Sequence, residues 1–348
     1  MLVALAFLPS LIWGTTNLLT PWVGGSLRQQ LGGMAVGAAA MAAIVTIALR
    51  PAMGGFGVAF TSGMLIAAGL YYILWAFKAL GVSRALPLTT GIQLVGLAVF
   101  GVVVYGEWTT TGARLVGGLA LAIITAGTAA ISWEDRGKQT RRGRGERAAT
   151  PLGKADATSP GERSSDSRSE RAAGRAPFGA GIISVLVASA CFIAYPAIMR
   201  LADVSGAGTF LPQALGLLCG TALLLVCDPA PLALTVGRRR YSVATTTQPD
   251  LASPPPQWRR DIGSREFRWF MLLGALWMGG VAQLVWNNEN IGVATAFPLS
   301  QLGVVISTVG ALYWLKEPKT AAERRAIFVG VCTLVIGTVL IGAARSLS

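Results

Sequence analysis

The sequence predicts an all-α integral membrane protein whose ten transmembrane helices form two inverted five-helix repeats, and three observations carry that prediction. The first is composition: the 348 residues are 53% hydrophobic and 13% charged, with a mean hydropathy of +0.57, too apolar for one water-soluble core. The second is spacing, because apolar stretches of about 20 residues, long enough to cross a hydrocarbon core of roughly 30 Å, recur along almost the whole chain. The third is an internal repeat: residues 75–107, WAFKALGVSRALPLTTGIQLVGLAVFGVVVYGE, return at 286–317 as WNNENIGVATAFPLSQLGVVISTVGALYWLKE. Setting Trp75 over Trp286 brings Gly81, Val82, Ala85, Pro87 and Leu88 onto Gly292, Val293, Ala296, Pro298 and Leu299 without a gap. A small shift then brings Glu107 to Glu317. Each copy reads as the end of one apolar helix, a short polar turn, a proline near the start of the next helix, and a long apolar run closed by glutamate. Proline is tolerated there because first-turn N–H groups have no intrahelical partner.

Taken in order, the candidate spans are about 2–20, 32–49, 57–77, 86–105 and 113–132, then about 178–199, 207–227, 267–286, 294–315 and 324–344. The stretch from Leu2 to Leu19 has no charged leader and no convincing cleavage site, so it reads as a first span and not as a secretory signal. The second and seventh spans carry Gly33-xxx-Gly37 and Gly216-xxx-Gly220, small residues one turn apart that let helices approach closely. Cys191, Cys219, Cys227 and Cys332 all fall in apolar spans without metal-ligand spacing and read as small core residues, so no metal is expected. Between the two sets of five lies 133–177, rich in Arg, Ser, Gly and Glu, which is too polar to bury a core and is expected to be a disordered basic linker. A second polar insert, about 228–266, reads the same way. The expected organisation is therefore a first repeat over 1–132, the linker over 133–177, and a second repeat over 178–348.

The formal charge of +13 resembles a nucleic-acid signal, but its distribution argues for the membrane rule of basic cytoplasmic loops and no nucleic-acid partner. Arg28, Lys78, Arg84, the linker, Arg238 to Arg268, and Lys316, Lys319, Arg324 and Arg325 follow odd-numbered spans; Arg50, Arg114 and Arg200 follow even-numbered ones. With ten spans, the odd loops are cytoplasmic and both termini face outward. Five spans per repeat force the two halves into opposite orientations, the arrangement that builds alternating-access transporters.

Several segments carry a family resemblance: LAFLPSLIWGTTN near the start, GVSRALPLTTGIQLVG with its closing GEW, PQALG at Pro212 to Gly216, and IGVATAFPLSQLGVVISTVGALYWLKE. Together they resemble the bacterial glucose/ribose uptake family of the drug/metabolite transporter superfamily, related to the rhamnose–proton symporters. The resemblance covers the ten spans and leaves out the linker and the second insert. It implies a multi-pass protein of the bacterial cell membrane that imports a sugar, with spans three, four, eight and nine, helped by one and six, lining a central cavity. Superfamily members are usually drawn with both termini inside, opposite to what the charges of this chain indicate. The partners this reading names are a sugar, the lipid bilayer and no cofactor, with proton coupling and a homodimer left open.

A sugar is an uncharged ring of hydroxyls with weakly apolar faces, so its site needs neutral amides, hydroxyls and an aromatic surface. The candidates are Thr89, Thr90 and Gln93 in span four, with Thr89 and Gln93 on one face at i and i+4. Ser300 and Gln301 in span nine are their counterparts. Trp75 and Trp286 close spans three and eight, with Gln283 and Asn287 beside Trp286, and Trp13, Asn17, Tyr195 and Gln213 come from spans one, six and seven. Each has a structural alternative. Tryptophans near span ends anchor to the interface, and threonines and serines in helices bond back to their own backbone. A buried glutamine without a partner is costly, which favours a cavity for Gln93, Gln301 and Gln283. Glu107 and Glu317 end spans four and nine and are candidates for holding a coupling proton, although a structural role is the preferred reading. No acid or base stands at a span midplane, where a charge would mark an ionic substrate, so a neutral cargo is favoured. An exporter of another neutral metabolite on the same fold and a non-transporting scaffold are the alternatives; an enzyme is disfavoured by the absence of histidine and of any nucleophile–base pair.

Overall fold

The computed structural model describes residues 7–133, 178–227, 261–291 and 299–347. Most of the linker, most of the second polar insert and the second copy's Gly292 to Pro298 turn lie outside the described residues. Among those described there are ten α-helices and no strand. The first half holds α1 (Leu8–Val23), α2 (Leu27–Leu49), α3 (Phe56–Leu80), α4 (Val82–Tyr105) and α5 (Thr111–Ser132). The second holds α6 (Phe178–Leu201), α7 (Phe210–Cys227), α8 (Arg265–Ile291), α9 (Gly303–Tyr313) and α10 (Ala321–Ser346). Eight are long and apolar enough to cross a bilayer. The other two, α1 with 16 residues and α9 with 11, are shorter than the usual span.

Local chemistry sets the helix boundaries. Ser26 and Gln29 form a reciprocal capping box that starts α2, and the Thr110 hydroxyl accepts the Ala113 N–H to start α5. Between α3 and α4 the turn is a single residue, Gly81, whose φ of 83° suits glycine. Helix α4 therefore begins at Val82, about a turn earlier than the span read from hydropathy, and takes Arg84 into its first turn. Arg84 is consequently not a loop charge: it is 3% exposed and bonded to the ends of two other helices.

The helices of the two halves interleave. Helix α2 packs on α8 and α7, α3 on α7 and α6, α4 on α6 and α9, α5 on α10, and α1 on α8 and α9. Exchanging each helix with the one five places on turns α2–α8 into α7–α3, α3–α6 into α8–α1, α4–α6 into α9–α1 and α4–α5 into α9–α10. The pairs α2–α7, α4–α9 and α5–α10 map onto themselves.

The two Gly-xxx-Gly motifs seat equivalent contacts. A Cβ at Gly33 would stand 2.5 Å from the Phe270 Cβ, and one at Gly37 would collide with the Met271 carbonyl of α8. In the exchanged pair, Cβ atoms at Gly216 and Gly220 would run into Phe60, Met64 and Ala67 of α3. Side chains are absent where backbones touch, so dispersion contacts are made directly between main chains.

Contacts at the helix termini sort the connections into two ends. Helices α1 and α9 run parallel, Gly14 against Gly303 and Leu18 against Gly310, and finish with Trp22 and Trp314 at 5.8 Å. At that end Gln29 donates to Ser264 at 3.0 Å and Lys319 donates to the Leu80 carbonyl at 2.7 Å. Arg28, Lys78, Arg84, Arg265, Arg268, Lys316, Lys319, Arg324 and Arg325 gather here, and we call it the basic end. At the opposite end Arg200 pairs with Glu107 and Thr110 donates to the Leu347 carbonyl at 2.8 Å; Arg50 and Arg114 also lie there.

Candidate functional site

Helix α4 and the apolar helix Leu299–Tyr313 that ends in α9 carry the polar residues that the internal repeat singles out, and they meet in a narrow crevice completed by α10. Its lining is Thr90 of α4, Gln301, Leu302 and Val304 of the apolar helix Leu299–Tyr313, and Leu334, Val335 and Thr338 of α10. The repeat alignment places Thr90 opposite Gln301, and the structure brings these two residues together in this crevice. Its volume is ≈ 10 Å³, about room for one water molecule.

Gln93 stands near the middle of α4, one turn from Thr90 on the same face. It is half-buried and hydrogen-bonds to no described residue. Asn17, mid-way along α1, is in the same condition. Trp75 on α3 is half-buried, yet its indole Nε1 is fully enclosed and has no hydrogen-bond partner among the described residues. Its ring lies 5.5 Å from the Lys78 ammonium, a cation–π contact. Gln93 and Trp75 thus present donors inside the bundle that described residues leave unused.

Other candidates are engaged with protein. The Thr89 hydroxyl donates to the Ala85 carbonyl at 2.8 Å, the backbone alternative raised for helical threonines. Gln213 is 6% exposed and donates to the Ser62 hydroxyl at 2.8 Å, with the Met199 sulfur at 3.6 Å, which ties α7 to α3 and α6. Gln283 donates to the Asn287 side-chain oxygen at 3.1 Å one turn on, and Gln301 donates to Ser300 at 3.1 Å. Ser300 and Asn287 are each 1% exposed. The Trp13 indole donates to the Trp277 carbonyl at 3.3 Å. Tyr195 is half-buried against the core, while Trp286 is 38% exposed on the outer side of α8.

Both glutamates hold ends of helices. The Glu317 carboxylate accepts the Val82 N–H at 2.7 Å, the Ser83 N–H at 3.3 Å and the Ser83 hydroxyl. An anion there satisfies orphan donors at the positive end of α4 and binds the second half to the first. Glu107 pairs with Arg200 at 2.5 Å, and the guanidinium lies 4.2 Å over the Tyr105 ring.

Sequence reading missed two sets of residues. The partners of Arg84 could not be seen because they come from far along the chain: Ile131 and Trp133 carbonyls and Glu323. Thr308 is 2% exposed, its hydroxyl has no partner among the described residues, and it falls seven residues after Gln301. A helical wheel begun at Gln301 would have flagged it.

Comparison with known proteins matches the sequence to a family. The family model described as "Sugar transport protein" matches residues 3–154 and 262–344, which leaves out α6 and α7 along with most of the polar insert. Relatives cover what the family model omits. A Listeria innocua protein named "Putative sugar uptake protein" is 31% identical over 99% of this chain and 99% of its own length. "Glucose uptake protein GlcU" of Bacillus subtilis is 30% identical over 98% of each chain. With its eight long apolar helices the protein is a multi-pass protein of the bacterial cell membrane, and the chain belongs to the sugar transport protein family.

Proposed function

We propose that this protein imports a monosaccharide of glucose or ribose type by alternating access, using two inverted five-helix repeats that open in turn to either side of the membrane. The observation that carries the substrate class is Gln93, a neutral amide near the midpoint of α4, half-buried and unbonded to any described residue. A half-buried amide that no described residue engages is open to a partner brought in from outside, and a cargo rich in hydroxyls supplies one without bringing charge into the membrane. The names of the relatives support the same class. Helix pairs that map onto one another under a five-place exchange support the repeat, and five passes per half would make it inverted.

The crevice at Thr90 and Gln301 is too small for a sugar, so loading requires α4 and α9 to separate. The proposed contacts are Gln93, Thr90 and Gln301, with Asn17 and Trp75 lining the approach. Glu107 and Glu317 are assigned to holding helix ends. The basic end faces the cytoplasm in this proposal, following the distribution of lysine and arginine.

Counterflow of labelled D-glucose and D-ribose in proteoliposomes tests the proposal. Accelerated uptake into vesicles preloaded with the same sugar is expected, and repeating it with an imposed pH gradient reports on proton coupling. Absence of counterflow with either sugar, from protein shown to be folded, refutes the cargo assignment.

A further inference from the structure

Hydroxyls inside the helices of this protein follow a habit from which, among the described residues, Thr46, Thr221 and Thr308 depart, and of these only Thr308 lies on the helix that lines the crevice. Thr20, Thr89, Thr128, Ser307 and Thr338 each donate to the carbonyl four residues back, at 2.7 to 3.1 Å. Such bonds satisfy the hydroxyl within its own helix. Thr308 is 2% exposed, and its Oγ1 has no hydrogen-bond partner among the described residues. A hydroxyl enclosed in this way costs free energy unless something polar meets it.

Its position says what that something would be. Gln301, Val304 and Thr308 stand at intervals of three and four residues and so share one face of their helix. The first two line the crevice against α4 and α10, so Thr308 continues that stripe one turn toward the basic end. Trp75 reaches the same level from another helix. Thr308 lies five residues before the end of α9 and Trp75 five before the end of α3, helices that both finish at the basic end and both pack against α4. At about 1.5 Å per residue, the two unpaired groups sit at closely matched depth. One is an indole N–H that can only donate; the other is a hydroxyl that can donate and accept. That pairing suits a sugar, whose hydroxyls do both.

We propose that Thr308 and the Trp75 indole form a second sugar-binding level, on the basic-end side of the crevice and distinct from the mid-depth contacts at Gln93 and Gln301. The assignment rests on the sugar-transport reading above. At this level the cargo is held after α4 and α9 part and before it leaves at the basic end. Gln93 stands deeper from the basic end, one turn past Thr90 on α4.

The test is equilibrium binding of labelled D-glucose and D-ribose to purified full-length protein, with monodeoxy derivatives of each as competitors. Thr308→Val keeps the side chain's shape and removes the hydroxyl. It is expected to weaken binding of the better sugar about tenfold, the scale of one hydrogen bond lost from a desolvated site. Thr308→Ser is expected to restore affinity. The penalty is expected to vanish for the deoxy derivative lacking the hydroxyl that Thr308 meets. Thermal stability of Thr308→Val is expected to equal or exceed that of the parent, because nothing in the protein loses a partner. If valine prevents insertion, the hydroxyl is holding the fold and the proposal is wrong. Parent binding with Thr308→Val indistinguishable for every sugar would overturn the second level alone. A folded parent that binds neither sugar overturns the transport reading beneath it.

Discussion

Removing the Arg84 side chain should destabilise the protein far more than removing any other basic residue at its end of the bundle. Arg84 Nε donates to the Ile131 carbonyl at 3.2 Å, and Nη2 reaches the Trp133 carbonyl at 3.0 Å and Glu323 Oε1 at 3.2 Å. The two side chains are 3% and 8% exposed. Glu323 in turn accepts the Thr320 N–H at 2.8 Å while the Thr320 hydroxyl accepts the Glu323 N–H at 3.1 Å, a capping box that starts α10. Arg84→Leu strands the carboxylate and leaves the last carbonyls of α5 without their donor. One-sided removal of a buried ion pair costs about 3–5 kcal/mol. Glu323 keeps its cap, which places the expectation near the low end, about 3 kcal/mol. Glu323→Leu strands the guanidinium instead and also uncaps α10, for a similar loss. Because each single change leaves the other partner's charge unpaired, the double variant should fall short of the summed losses by about 2 kcal/mol. Unfolding by denaturant in mild detergent, followed by tryptophan fluorescence, measures all four proteins. A loss below about 1 kcal/mol for Arg84→Leu, or strict additivity, would refute the reasoning.

Other expectations follow from neighbouring observations. Gln93→Leu and Gln301→Leu should insert normally, and sugar binding per folded molecule should weaken about tenfold to a hundredfold; unchanged affinity in both removes them from the path. Gln213→Leu should lower stability by about 1–2 kcal/mol, because it leaves the Ser62 hydroxyl unpaired, while affinity stays at the parent value; the reverse pattern would return Gln213 to the site. Gly37→Val and Gly216→Val should each lose folded yield in detergent, since any side chain there meets the main chain of α8 or α3; full yield from either would mean that the seam yields.

How far the sequence foretold this structure depended on where the relevant partners lay. The glycine pairs at 33/37 and 216/220 were legible because close approach demands small residues one turn apart, and they turned up in corresponding helices. The start of α4 was misplaced because hydropathy cannot see a carboxylate more than two hundred residues away that caps Val82 and Ser83. Arg84 looked like a loop charge for the same reason: what makes its burial tolerable is Glu323 and the end of α5. Within the site, residue type separated plausible from implausible polar groups but not idle from occupied ones. Gln93 and Gln213 are the same side chain in similar apolar runs, and only packing shows that one faces Ser62 while the other meets no described residue.

The interleaving of the halves bears on how the protein is made. A ribosome delivers α1 to α5 first, and every one of them packs on a helix that has not yet been synthesised: α1 on α8, α2 on α8, α3 on α7, α4 on α9, α5 on α10. Until those arrive, Gly33, Gly37 and Gly63 face lipid in place of protein backbone, and Arg84 has no Glu323. The nascent first half therefore has only its own contacts, chiefly α3 with α4 and α4 with α5, until the second half is in place. The same dependence predicts that the two halves, although each could be cut out of the gene as a block, will not fold separately. Co-expressed as two chains they can assemble only by finding each other, whereas in the intact chain the long polar stretch between α5 and α6 keeps them at high local concentration.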